Sequence, residues 1–112
     1  MHVVTFATEG SGNCVRVQDL AFVYARTEHG EFVLPARCPH RGGPLHLAAF
    51  EAGGSRLVCP WHGRATSVSR HLKAGIPAVR RGTVVTAVLP GSLDAPCSVE
   101  HVPMSADLSR GR

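Results

Sequence analysis

Two short boxes of cysteine and histidine stand out in this sequence of 112 residues. Cys38 and His40 are separated by one residue in the first box, and Cys59 and His62 by two residues in the second. Thiolate sulfur and imidazole nitrogen are ligands that transition metals prefer, and each tight pair can come from a single loop. The spacing therefore predicts one metal centre where the two loops converge. Spacing alone does not decide between a zinc ion and an iron–sulfur centre.

Loops rich in proline and glycine must position both boxes. Residues 35–77 contain five prolines and six glycines and show no sustained helical period. A long irregular stretch inside a small domain usually carries function. Short strand patterns at residues 32–34 and 56–58 lead into the first and second box. We therefore expect a loop-built insert of about forty residues between strands.

Strand patterns dominate the rest of the chain and predict a small all-β fold. The pair His29-Gly30 lies between two of these patterns and predicts a hairpin, because glycine tolerates the positive φ of a tight turn. Residues 104–112 are polar, so we expect a flexible tail there. The strand patterns cover residues 2–8, 13–18, 22–26, 31–34 and 83–89.

Length and composition restrict the class of protein. The chain fits one domain, residues 1–112, and 44% apolar residues are too many for a disordered chain. We find no secretory signal, and the longest apolar run, residues 20–25, is far shorter than the ~20 residues of a membrane helix. We therefore expect a cytoplasmic protein without a membrane span. In that compartment cysteines stay reduced, so we interpret Cys14 and Cys97 as buried free thiols.

Positive charge is concentrated around the two boxes. Residues 37–81 carry eight cations and one acid, for a net charge of +7, whereas the remainder carries four cations and seven acids. Such a segment favours an acidic partner surface, although it could also be a solvated face without a role. We do not expect nucleic acid as a partner, because no aromatic residues alternate with the arginines. The eight cations are Arg37, Arg41, Arg56, Arg64, Arg70, Lys73, Arg80 and Arg81.

The two boxes resemble those of the Rieske [2Fe–2S] proteins. The similarity covers Cys-Pro-His-Arg-Gly-Gly-Pro-Leu at residues 38–45 and Cys-Pro-Trp-His-Gly at residues 59–63. It implies one [2Fe–2S] cluster per chain, with Cys38 and Cys59 on one iron and His40 and His62 on the other. It also implies an antiparallel β-sandwich with a loop-built cluster-binding subdomain at about residues 36–77.

The resemblance is closer to the soluble Rieske ferredoxins than to the membrane-complex branch. That branch has an additional cysteine in each box, and Gly43 and Trp61 stand at those positions here. We also expect no second domain for the mononuclear iron of Rieske oxygenases. The resemblance therefore implies a component without catalytic residues, which carries single electrons from a flavin-dependent ferredoxin reductase to a terminal oxygenase or hydroxylase.

Other interpretations remain open at this point. The chain could be a permanently bound Rieske subunit or redox sensor of a larger enzyme, or a zinc-stabilised binding module. Trp61 could shield the centre, contact a partner or simply pack its loop. We interpret His46 as a surface residue rather than a further ligand.

Overall fold

Antiparallel strands account for most of the computed structural model, which describes residues 2–37, 43–51, 53–61, 63, 65–73, 76–91 and 94–110. Two short helices and one 3-10 turn complete the regular structure in these ranges. The strands are β1 (His2–Ala7), β2 (Cys14–Val17), β3 (Leu20–Thr27), β4 (Gly30–Pro35), β5 (Ala49–Phe50), β6 (Arg56–Val58), β7 (Ala65–Ser67), β8 (Ala78–Arg81), β9 (Val84–Leu89) and β10 (Cys97–Glu100); the helices are α1 (Val68–Lys73) and α2 (Ala106–Arg110), and the 3-10 turn is Leu45–Leu47.

The described strands form three antiparallel sheets. The first has the order β1-β9-β8, the second β10-β2-β3-β4, and the third β5-β6-β7. The first two sheets form a sandwich, and the third sheet belongs to the segment that contains the two boxes. The predicted all-β fold is confirmed.

The four-stranded sheet lies between two cores, so both of its faces are buried. Along β3, Phe22 and Tyr24 point to one core, and Val23 and Ala25 point to the other. This two-sided burial explains the continuous apolar run at residues 20–25, because a strand buried on both faces does not alternate with polar residues.

The first core fills the sandwich. Phe6 of β1 and Val85, Ala87 and Leu89 of β9 pack there against the four-stranded sheet. Successive side chains of a strand point to opposite faces, so the three residues of β9 share one face. The sequence Thr-Val-Val-Thr-Ala-Val-Leu at residues 83–89 is rich in β-branched residues and is the clearest strand pattern of the chain, and β9 confirms it.

The predicted hairpin is confirmed between β3 and β4. Thr27 pairs with Gly30, which leaves Glu28 and His29 as a two-residue loop. Gly30 has a φ of 142°, and the Thr27 hydroxyl donates a hydrogen bond of 2.6 Å to its carbonyl oxygen. A side chain at this position would be strained. After the hairpin, β4 leads directly into the first box.

The insert is more regular than the loop-built segment that we expected. It contains the sheet β5-β6-β7 and helix α1, which contribute Leu57 and Val68 to the second core, on the other face of the four-stranded sheet. Strands of two or three residues are too short to show a period in the sequence. Buried apolar side chains therefore hold the insert in place on the side away from the sandwich.

The C-terminal segment also differs from the expected flexible tail. Residues 106–110 form α2, and Leu108 is completely buried in the second core. A single buried residue in a helix of little more than one turn gives no periodic pattern, so the sequence appeared polar throughout. Over its described part, the segment packs against the rest of the protein.

Candidate metal centre

The structure describes one of the four predicted ligands. Cys59 follows β6 directly and is 1% exposed. Cys38, His40 and His62 lie outside the described residues, so their predicted ligand role remains a prediction. Within the described ranges, no group of three or more Cys, His, Asp or Glu side chains is arranged to hold a metal ion.

The two boxes meet where Gly43 approaches Cys59. A Cβ atom added at Gly43 would lie 2.8 Å from the Cys59 Sγ and 3.0 Å from the Trp61 Cβ. Real Cβ atoms do not approach other atoms this closely, so only glycine fits here without a shift. The described parts of the two boxes therefore converge, as their spacing predicts, and the sulfur of Cys59 lies at the contact between them.

The chain is paired at the base of the first box. Arg37 and Pro44 form an antiparallel bridge, so the chain segments before and after the first box lie side by side. Beside this bridge, His46 Nδ1 donates a hydrogen bond of 3.3 Å to the carbonyl oxygen of Ala36. His46 is half-buried, so it is not the surface residue that we expected. Its ring links the two chain segments that flank the box.

Trp61 is 53% exposed although it follows the buried Cys59 by two residues. The base of its side chain faces Gly43, with the Trp61 Cγ 3.1 Å from the added Cβ position. Much of the indole ring therefore remains available to solvent. The contact with Gly43 supports a packing role, and the exposed part of the ring leaves room for contact with a partner.

His71 connects the elements on either side of the two boxes. It lies on α1, and its ring stacks on Phe32 of β4 with the centroids 6.1 Å apart and the planes at 5°. Its Nε2 is hydrogen bonded to the hydroxyl of Thr66 on β7 at 2.9 Å. Burial, and to a lesser degree the positive charge of Arg70, lower the pKa of His71 from its ordinary value of 6.5.

Protonation of His71 should make stability depend on pH. The unfolded chain takes up this proton near pH 6.5 and the folded protein only at a lower pH, so the free energy of unfolding falls as the pH drops below 6.5 and stops falling below the folded pKa. Denaturant unfolding measures the free energy of unfolding at pH 7.5 and at pH 5.5. Between these two pH values it should fall less in His71→Gln than in the wild type. His101→Gln, an exposed position, is the control, and equal losses in all three proteins would contradict the prediction.

Four described cations of the segment 37–81 form no ion pair with an acid in the described part of the chain. These are Arg37, Arg70, Lys73 and Arg81, and all four are exposed. Two others have acidic partners: Arg80 Nε lies 3.0 Å from Glu31 Oε1, and Arg56 Nε lies 3.7 Å from Glu51 Oε2. Glu31 also accepts a hydrogen bond from the Tyr24 hydroxyl. The positive charge of the segment is therefore only partly compensated within the protein.

The two cysteines outside the boxes have different surroundings. Cys14 is a free thiol, completely buried in the second core, as expected. Burial, and to a lesser degree the negative charge of Glu100, raise its pKa. Cys97 is also free but exposed, so the prediction of burial is wrong for this residue. It lies on β10, an edge strand of the four-stranded sheet, and β10 pairs with a neighbouring strand on one side only.

Fold and site together define a small antiparallel β protein whose Cys-His boxes converge on a buried cysteine. The family model of the Rieske [2Fe–2S] domain matches residues 1–90 of the chain. The protein therefore belongs to the Rieske [2Fe–2S] domain family, and its cofactor is a [2Fe–2S] cluster that serves electron transfer. No solved structure matches the chain.

The residues of this chain fit such a cluster. Two thiols and two imidazoles are the donor set of a Rieske centre. Cys59 is buried, as a cluster cysteine protected from water should be, and Gly43 leaves space beside its sulfur. Neither helix of the described chain has the length or apolar composition to cross a membrane.

Proposed function

We propose that this protein is a Rieske-type ferredoxin of the cytoplasm, which carries single electrons from a flavin-dependent ferredoxin reductase to a terminal oxygenase or hydroxylase. Cys38 and Cys59 would hold one iron of the cluster, and His40 and His62 the other. The observation that supports this assignment best is the buried sulfur of Cys59 at the contact between the two boxes. When bound, the cluster supplies a group that takes up and releases one electron at a time.

The protein's own residues would keep the site dry on one side and accessible on the other. Cys59 is buried, and Gly43 lies close to both its sulfur and Trp61. The neighbouring Pro60, Trp61 and Gly63 are exposed, so the second box also reaches the surface. Electron transfer between proteins requires a short distance, and an exposed edge of this kind suits a carrier that meets its partners transiently.

The uncompensated cations would guide those partners. Arg37 directly precedes the first box, and Arg70 and Lys73 lie on α1, which follows the second box after one short strand. Positive charge around a docking site accelerates association with an acidic surface, and salt weakens the effect. We therefore propose an acidic docking face on the reductase and on the oxygenase.

Reduction of the purified holoprotein tests the carrier role. With NADH and a flavin-dependent ferredoxin reductase, the cluster should accept one electron per chain, and the reduction rate should fall as salt increases. Arg37→Gln and Arg70→Gln should each lower the rate at low salt by about twofold to tenfold, whereas Arg16→Gln, an equal change of charge outside the basic segment, should lower it less.

Two outcomes would contradict the carrier role, and a third would contradict only the acidic docking face. Colourless protein with stoichiometric zinc would show a zinc-stabilised module. A holoprotein that purifies only within a larger enzyme, and accepts no electron when separated, would show a permanently bound subunit. A reduction rate that is independent of salt and equal in all three variants would remove the acidic docking face, while leaving the carrier role in place.

A further inference from the structure

The C-terminal segment, residues 97–110, lies beyond the part of the chain that the family model matches. It is nevertheless tied to the domain. Strand β10 pairs with β2, and Arg16 Nε lies 2.8 Å from Glu100 Oε2. The buried Asn13 then makes two hydrogen bonds with Val102: its amide donates to the Val102 carbonyl at 2.8 Å, and its oxygen accepts from the Val102 N–H at 2.9 Å.

Beyond Val102, the segment binds the stretch of chain that follows the first box. The Ser105 N–H donates to the carbonyl oxygen of His46 at 3.0 Å. The Ser105 hydroxyl donates to the carbonyl oxygen of Ala48 at 2.6 Å. Asp107 Oδ2 accepts from the Phe50 N–H at 2.8 Å. Every second residue of the stretch 46–50 is therefore hydrogen bonded to the C-terminal segment, through the backbone and side chain of Ser105 and the side chain of Asp107.

Helix α2 presents these groups in a fixed orientation. The Ser105 hydroxyl also accepts a hydrogen bond of 3.3 Å from the Leu108 N–H, which is the geometry of a helix N-cap. Leu108 is completely buried in the second core together with Leu45 and Ala48. Breaking the contacts of Ser105 and Asp107 would therefore leave α2 anchored by Leu108.

The bound stretch is continuous with the first box. Leu45 directly follows Pro44, which is bridged to Arg37, and the His46 ring holds Ala36 on the other side of the box. A shift of residues 46–50 would therefore be transmitted to both chain segments that flank the box. Such a support acts on the cluster through the backbone and does not touch it.

We propose that Ser105 and Asp107 are positioning residues for the [2Fe–2S] cluster, which hold the chain that leaves the first box through the carbonyl of Ala48 and the N–H of Phe50. This proposal rests on the proposed ligand role of Cys38 and His40. It does not depend on which reductase or oxygenase the protein meets.

The test compares holoproteins with matched substitutions. Ser105→Ala and Asp107→Ala remove the two contacts, whereas Ser105→Thr and Asp107→Asn retain a hydroxyl and an oxygen acceptor. Ser109→Ala is a control on the same helix, because the Ser109 hydroxyl contacts only the neighbouring Ala106 carbonyl among the hydrogen bonds described. Val85→Ala is a control for general destabilisation, since Val85 lies in the first core and not beside residues 46–50.

Three quantities are measured: the rate of cluster loss to an iron chelator, the EPR spectrum of the reduced cluster, and its midpoint potential. Each alanine variant should lose its cluster about fivefold faster than the wild type, because loss of the side chain's hydrogen bonds favours local opening. The EPR spectrum and the potential should also shift. The conservative variants should restore wild-type values, and Ser109→Ala should not differ from the wild type.

The comparison with Val85→Ala decides whether the role is positional. This variant should have a lower unfolding temperature with an unchanged EPR spectrum and potential. The proposal is overturned if Ser105→Ala and Asp107→Ala behave like Val85→Ala, or if their spectrum, potential and rate of cluster loss equal those of Ser109→Ala. If the EPR spectrum of the wild-type protein showed no histidine ligands on the cluster, the proposed function would be contradicted instead. Failure of the positioning role and failure of the proposed function can therefore be distinguished.

Discussion

Replacing Cys59 by alanine should yield a protein without its [2Fe–2S] cluster, whereas the same change at Cys97 should leave the cluster in place. Cys59 is 1% exposed, and its sulfur lies at the contact between the two boxes. Its thiolate is one of four proposed ligands, and metal-site cysteines contribute to folding as well as to binding. The visible absorbance and the iron and acid-labile sulfide content of the Cys59→Ala protein should therefore fall to background.

The two cysteines outside the boxes provide controls for this experiment. Cys97 is an exposed free thiol on β10, and Cys14 is a free thiol buried in the second core. The raised pKa of Cys14 favours the neutral thiol, which is a poor metal ligand. Cys14→Ala should therefore lower the stability of the protein and retain the cluster. Full cluster content in Cys59→Ala, or its loss in Cys97→Ala, would show that the ligands are assigned incorrectly.

The sequence predicted those parts of the fold whose pattern is local. Strand β9 is rich in β-branched residues, so its strand propensity was visible without any knowledge of its partners. The hairpin at Gly30 was equally visible, because the positive φ of Gly30, next to the turn, favours glycine.

The sequence did not predict the elements that depend on distant partners. Strands β5 and β7 have two and three residues, too few for a period, and they form only because β6 pairs with both. Helix α2 has one completely buried residue, Leu108, and is otherwise attached through Ser105 and Asp107. Polar residues that bind the backbone of another segment have the same composition as a solvated tail. Their role became visible only with the tertiary structure.

At the candidate site, residue types predicted the chemistry, and packing supplied the rest. The spacing of cysteine and histidine predicted a metal centre, and the resemblance of the boxes indicated the [2Fe–2S] cluster that the family match confirms. The importance of Gly43 was not predictable in the same way, because it depends on how close the backbone of one box comes to Cys59 of the other. The consecutive glycines Gly42-Gly43 were the only sequence signal for such an approach.

Replacing Gly43 by alanine should strongly impair cluster binding. The new Cβ would lie 2.8 Å from the Cys59 Sγ and 3.0 Å from the Trp61 Cβ, so the two boxes must move apart. Such overpacking costs about 1–3 kcal/mol of stability in a well-packed site. The backbone at Gly43 is not in the positive-φ region, so the effect would come from lost space and not from backbone strain. Iron content after purification and the rate of cluster loss to a chelator measure it.

Gly82→Ala is the matched control for this substitution. Gly82 has a φ of 63°, and an added Cβ would meet no atom within 4 Å, so the variant introduces backbone strain without crowding. It should lower the unfolding temperature and retain the cluster. If Gly43→Ala lost no more cluster than Gly82→Ala, the close approach of the two boxes would have no role in binding.

A double variant then separates the two contacts of the new methyl group. Trp61→Ala removes the indole ring but keeps the Trp61 Cβ, and it leaves the approach to the Cys59 sulfur unchanged. Adding it to Gly43→Ala should therefore restore little of the lost cluster, because the methyl group still meets the sulfur. Full recovery in the double variant would show that the indole ring is the obstacle. The Cys59 sulfur would then tolerate a methyl group at the 2.8 Å position. In that case the role of Gly43 would be to make room for the Trp61 side chain, and not to let the first box approach Cys59.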